Sequence, residues 1–455
     1  MKKLCAPVLC IFFIHTARPP LLMPYFGKTP VIDGGTSEKP NLEKTNKPKK
    51  NIPAGWGGGS LTQETKPYKG IPMTVYSLSE GAWIQHRKVR LTSYKIEVIG
   101  EDAIFGHLHG GVKVEDPENR ITFKAAKADY DKIQELITMQ GRPILQYYNS
   151  SNKLTKITAP YMKRYLLENK TSLEGGVIME DGEYTVISET AVFYEKEDKL
   201  VMENHPFVFG KETFITGEKA VYNTDTKTTS IEKDTLLARL SFEVKEDSVP
   251  GAKKAETESE KKEKVRTVTV MTGDKMESYS GTETDSYAGF FGNARIFRED
   301  YEYSGAYLKA KGKDYKNLEA KDQVVFTDKV NNVRMSGKLF EHFEDEKYTH
   351  ITEEPKIEFL SKEGEVKSTL RCVELERFGE RKEMVARGNV VIESEESIIR
   401  GDYGTYFEEE KKLVVEGNPT LEKEGSTVRS GKIIIYPEEN KVLLTDGLGI
   451  VPAKK

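Results

Sequence analysis

Short apolar runs alternating with polar residues fill positions 384–445, where Val, Ile and Tyr cluster between Gly, Asn, Pro and charged turns. This pattern predicts successive β-strands, and no helical period competes with it. A spacing motif occurs twice in this stretch: an apolar residue, a small one two positions on, then small or apolar residues five and seven positions on. Ile399, Gly401, Gly404 and Tyr406 form one copy, and Val428, Ser430, Ile433 and Ile435 the other. Steps of two keep side chains on one face of a strand. The single step of three reverses the phase, so a bulge or bend between the second and third members returns all four to one side.

The same spacing recurs upstream, with first members Val98, Phe123, Ile157, Val186, Ile215, Tyr303, Met335 and Leu370. Two of these copies lose the last apolar residue and end in Arg164 and Arg377. A recurrence every 25 to 35 residues is the mark of a repeat architecture. Positions 370, 399 and 428 each lie 213 residues after 157, 186 and 215, and the turns agree, Gly175-Gly176 with Gly388-Asn389 and Asn204-His205 with Gly417-Asn418. The chain therefore reads as a tandem duplication of strand units, all-β, with one domain over 67–243 and another over 265–455. The lysine- and glutamate-rich residues 244–264 read as a charged linker, and residues 21–66, rich in Gly, Pro and Lys, as a flexible tether.

Composition adds a compartment and removes some partners. Lys2 and Lys3 precede an apolar run over 4–14 and small residues at Thr16-Ala17, the pattern of a secretory signal peptide or short anchor over 1–20. Export is expected, with a possible tether to the inner membrane. A net charge of −4 over 455 residues gives no electrostatic case for nucleic acid. Two of the three cysteines fall in the leader, leaving Cys372 alone.

Catalytic motifs are lacking: there is no nucleophile elbow, phosphate loop, His-Glu-x-x-His or Cys-x-x-Cys. The chain is not expected to be an enzyme or to hold a cofactor. His107 and His109 share one strand face, but zinc needs at least three protein ligands and no third is evident, so exposed strand histidines are the expectation. What remains is the inward face itself, which stacking would join into a continuous apolar interior. The small second members, such as Ser188, Gly217 and Gly401, fit either space inside that interior or close backbone approach. Periodicity alone favours a dry, filled core.

The stretch Gly388-Asn389-Val390-Val391-Ile392, Ile399-x-Gly-Asp, Tyr406, 413–419 and 431–436 resembles the organic-solvent-tolerance family of repeats. That family includes the lipopolysaccharide-transport proteins LptA and LptC and the periplasmic domain of LptD. The resemblance implies two tandem open β-jellyrolls whose interior shields acyl chains of lipopolysaccharide, or a related glycolipid, on its way across the periplasm to the outer membrane. It makes Val186, Phe193, Ile215, Ala220, Tyr222, Ile399, Tyr406, Val428, Ile433 and Ile435 candidate groove residues. It also implies other jellyroll transport proteins as partners, joined through edge strands. The alternative is a structural or surface β-solenoid that binds proteins and carries no lipid.

Overall fold

The computed structural model describes residues 52–182, 184–244, 264–282, 284–312, 315–437, 439 and 441–451. The expected leader and the first part of the tether lie outside them. From Ile52 onward the chain forms one compact unit. It is all-β: 32 strands join in one antiparallel sheet, and a three-residue 3-10 turn at Glu195–Glu197 is the only helical element among the described residues.

The sheet is folded lengthwise along a line of bulges. In Phe105–Asp116 the residues Gly110 and Gly111 both take left-handed conformations, φ 82° and 67°, and together they oppose the single residue Ala126 of Ile121–Asp131. Two residues against one bend both strands, so each long strand contributes to two leaves. Left-handed pairs of this kind begin at 80, 110, 141, 175, 204 and 233, and again at 292, 322, 353, 388, 417 and 446. Gly and Asn adopt such dihedrals at low cost, which is why Gly-Gly and Gly-Asn turns mark the corners.

The spacing motif lies on the alternate strands. In Ser397–Phe407 the bend falls at Asp402, between Gly401 and Gly404, opposite Gly388-Asn389. The expected bend between second and third members is therefore the corner itself. The copy starting at Val98 is an exception, because Gly100 and Ala103 form a turn between strands. The corner of Val89–Ile99 is instead spanned by Leu91, Ser93, Ile96 and Val98, and a further copy, Met271, Gly273, Met276 and Ser278, spans that of Lys264–Tyr279. With these included, the duplication covers five repeats, since 303 and 335 lie 212 residues after 91 and 123.

Two expectations change. Residues 54–66 are not tether: Ala54–Gly57 and Ser60–Tyr68 are strands paired to Ile71–His86. Their glycines serve close approach rather than flexibility, since a Cβ on Gly57 would lie 3.2 Å from the Trp83 ring. The sheet does not break at 244–264. Residues 245–263 lie outside the described residues, but Thr228–Val244 and Lys264–Tyr279 on either side pair from Thr228↔Tyr279 to Val244↔Lys264. The duplicated series thus share one ladder, in which each repeat of roughly 30 residues supplies two rungs rather than one. About two dozen rungs at ~4.8 Å give a ladder of roughly 110 Å.

A protease site inserted between 245 and 263 tests this continuity. After cleavage the fragments are expected to co-elute from a sizing column, held by that ladder. Separation without denaturant would mean that each half closes by itself.

Candidate functional site: the apolar interior and its mouth

The two leaves face each other across a single apolar core running from Ala54 through both series to Leu444. Aromatic rings meet across it: Tyr147 with Phe193 at 5.1 Å, Tyr303 with Phe340 at 5.4 Å and Phe359 with Tyr406 at 4.9 Å. Nine of the ten groove candidates, Val186, Phe193, Ile215, Ala220, Tyr222, Ile399, Tyr406, Ile433 and Ile435, are buried in this core, and Val428 packs against it half-buried. Their positions span many rungs, so they line one continuous interior rather than converge on one site.

Corner geometry separates the two explanations of the small second members. A Cβ on Gly217, Gly337 or Gly401 would fall 2.3, 2.6 or 2.6 Å from the branched side chain of Ile231, Ile351 or Val415 on the next strand. Where serine takes this place its hydroxyl donates across the corner, from Ser93 Oγ to the His109 carbonyl at 2.6 Å and from Ser188 Oγ to the Glu203 carbonyl at 3.1 Å. At these corners the small residues permit close approach; they do not hollow out the interior.

Opposite the corners, the strand ends of the two leaves form two lips, and side chains tie them together. Arg87 holds Glu135 through Nε–Oε2 at 2.7 Å and Nη2–Oε1 at 2.9 Å. Asn149 Nδ2 donates to the Thr224 carbonyl at 3.1 Å, and the Tyr184 and Ser280 hydroxyls meet at 3.1 Å. The strongest tie is Arg164, 1% exposed. Its guanidinium lies between Asp116 of the other lip, at 2.5 Å, and Glu195, which also accepts from Thr171 Oγ1 at 2.9 Å. Burial pushes the Glu195 carboxyl above the ordinary range, and Arg164 partly offsets the effect.

This triad is duplicated. Arg377 bridges Asp328 at 3.2 Å and Glu408 at 2.6 Å. Arg377 and Glu408 stand 213 residues beyond Arg164 and Glu195, and Asp328 stands 212 beyond Asp116. Both aspartates also accept from the asparagine three residues on, Asn119 and Asn331. The two motif copies ending in arginine are therefore clasps, with the charge reaching from the core to the mouth. Sequence spacing had flagged both arginines only as lapses of the pattern; two arginines at one repeat offset were the available signal.

Between the clasps the mouth opens. A cavity of about 480 Å³ lies where the two series meet, with Met271, Ile296, Tyr303, Ala310 and Leu318 below and Arg239, Arg298 and Lys316 at the rim. Toward the second end a smaller opening of about 200 Å³ is lined by Phe359, Tyr406, Lys362 and Lys367. Val186, Ile215 and Tyr222 border an interior void of about 30 Å³.

The remaining candidates are placed outside the interior. His107 and His109 point outward on either side of buried Leu108, and His107 Nδ1 lies 2.7 Å from Asp129 Oδ1 across the ladder. Among the described residues no three His, Cys, Asp or Glu side chains gather as a metal site. Burial pushes the Cys372 thiol up to about 12, so thiolate chemistry is suppressed there.

Arg164→Met should destabilise the protein by about 3–5 kcal/mol, because two buried carboxylates lose their partner, whereas Arg164→Met with Glu195→Met should recover much of that loss. Urea unfolding of both variants measures it. An unchanged midpoint for the single variant would show that the clasp carries no load.

No family model matches the chain, and no curated protein does. Among solved structures the chain is similar to LptH, the LptA-homologous periplasmic component of the lipopolysaccharide transport device of Pseudomonas aeruginosa. The similarity is at 17% identity over 26% of this chain and 85% of that one, with a TM-score of 0.23.

Proposed function

We propose that this chain is a non-enzymatic, exported lipid bridge that carries lipopolysaccharide or a related glycolipid toward the outer membrane, its acyl chains shielded between the leaves. The supporting observation is the single cluster of buried apolar side chains that continues through both duplicated series. Acyl chains need an apolar path of constant character, and this one runs the whole ladder. At rest the path is filled with side chains, so cargo enters by parting the leaves. Between clasps the lips are joined by side chains rather than by a backbone ladder, which leaves parting possible there. The tight filling favours a second reading, a protein-binding scaffold without cargo. Among the described residues no helix is long and apolar enough to cross a membrane.

Lipid analysis separates the two readings. Full-length protein purified from the exported fraction should release lipid on extraction, detected by mass spectrometry. A photocrosslinker at Tyr406 should capture it and one at the outward Lys432 should not. Protein free of lipid, with no adduct at Tyr406, would leave the scaffold reading.

The ends of the ladder point to partners. Met73–Leu78 is not an edge, since Ser60–Tyr68 covers it, and Lys441–Val451 likewise covers Ile433–Tyr436. The outermost strands among the described residues are therefore Ser60–Tyr68, with Ala54–Gly57 continuing the same edge, and Lys441–Val451. The first carries Lys66 and Pro67, devices that blunt an edge, while the second has no proline within it. A crosslinker at Leu443 should therefore join another jellyroll protein or a second copy, while one at Thr65 joins little. The reverse pattern would remove the assignment of the joining edge.

A further inference from the structure

We propose that the outer face of one leaf is a docking surface for a second copy of this chain, packed sheet against sheet about a two-fold axis. Such pairing holds whether or not the interior carries lipid.

Strand alternation puts the surface on the outside. Val186, Val208, Ile215, Leu237 and Met271 point into the core, so their neighbours on the same strands point outward. Of these, Ile187, Phe207 and Phe209 are 40–41% exposed and Val268 is 51% exposed, and Ile178 on the preceding strand is 41% exposed. They are neighbours across the ladder: Ile178 opposes Ile187, Ile187 opposes Phe207, and Phe209 opposes Phe214, which opposes Ala238 and, beyond it, Val270. Three rings close the centre, with Phe214 at 5.8 Å from Phe207 and 5.5 Å from Phe209. Over the segments 185–187, 207–209, 213–216, 236–240 and 268–272 no outward position carries a charge.

Two comparisons within the chain set this face apart. At the same level of the opposite leaf, outward positions hold Lys199, Glu203, Lys219, Glu232, Lys275 and Glu277. In the second series the duplicated positions are polar: Ile187, Phe207, Phe209 and Phe214 become Arg400, Thr420, Glu422 and Thr427, 213 residues on, and Arg400 pairs with Glu422 at 2.9 Å. The fold thus accepts a charged pair at these places, so the core does not require the apolar side chains of the first series. Area decides what covers them. Roughly 500 Å² of apolar surface is exposed over the patch, at the upper end of what a monomer leaves bare and close to the apolar share of a standard homodimer interface, about 65% of about 800 Å² per partner. A flat sheet face needs a flat partner, since packed sheets lie about 10 Å apart with interdigitating side chains, and this face supplies one to its own copy. Charge does not oppose the pairing: Lys156 and Glu180 flank the patch at one end, and Arg295 and Glu302 at the other, so each end carries both signs. Neither Ser60–Tyr68 nor Lys441–Val451 belongs to the patch, so face pairing and edge joining are separate contacts.

Sedimentation of the purified full-length chain across a concentration series tests the pairing. Wild type should reach the dimer mass. Ile187→Arg with Phe209→Glu, which installs the pair that the second series carries, should weaken the dimer at least about tenfold without lowering the thermal midpoint of the dilute protein. Lys219→Glu, on the opposite leaf, should change neither. A photocrosslinker at Phe207 in an isotope-mixed sample should form adducts with residues 178–272 of the second copy. A dimer that survives in the folded double variant overturns the proposal, as does a wild type that stays monomeric. Monomer whose Phe207 crosslinks to its own residues 1–51 would mean that the chain's first segment covers the face. Monomer that sediments with phosphatidylglycerol vesicles, and loses this when Phe207 is changed, would mean that the face rests on a bilayer. Either result removes the second copy. Should the double variant not fold, Phe207→Thr with Phe214→Thr, the residues of the second series, is read in the same way, with an expected loss of about fivefold.

Discussion

The fold depends on its corner. A flat antiparallel sheet of this length would expose both faces, and the left-handed pairs bend each strand so that one face closes on itself. The bend brings backbone and side chains of adjacent strands within contact distance, which is why Gly217, Gly337 and Gly401 sit beneath Ile231, Ile351 and Val415. At these corners a residue that looks like a space-former is a contact requirement. Not all corners use residues suited to the conformation: Lys233-Asp234 and Glu353-Glu354 hold left-handed dihedrals without glycine. Each such residue stores about 1 kcal/mol or more of strain, held by the ladders on both sides.

The mouth obeys a different logic. Corners are fixed by backbone, while the lips are joined by side chains, and two of the joints are ion triads of the same composition one duplication apart, the first buried and the second half-buried. A buried triad adds little net stability compared with apolar packing of equal volume, but it strongly penalises loss of any one partner. It therefore fixes the register of one lip on the other. At the central cavity between the triads, Arg239 and Arg298 stack on the rings of Tyr315 and Tyr301. The lips are thus pinned by an ion triad once within each series.

That junction is also where the duplicated halves meet. The long hairpin of Thr228–Val244 and Lys264–Tyr279 carries the ladder from one series to the next, so core and lips continue through it. A charged, loop-like composition over 244–264 reads in the sequence as a linker. Composition describes solvent exposure and is silent on whether flanking strands stay paired.

The sequence by itself determined the all-β class, the repeat of roughly 30 residues, the bend between second and third motif positions and the inward face. These follow from local rules: side chains alternate along a strand, and Gly and Asn tolerate left-handed dihedrals. The buried positions of Ile399, Tyr406 and Ile433 were legible for that reason. Only tertiary structure decided what was long-range. Arg164 meets Asp116 48 residues away, and no local pattern distinguishes a clasp from a lapse in apolar spacing. The strands at 54–66 look like tether because their glycines fit Trp83, a contact visible only in three dimensions. Pairing across 245–263, and the opening that lies beside it, depend on which strands become neighbours, a choice made by the whole sheet.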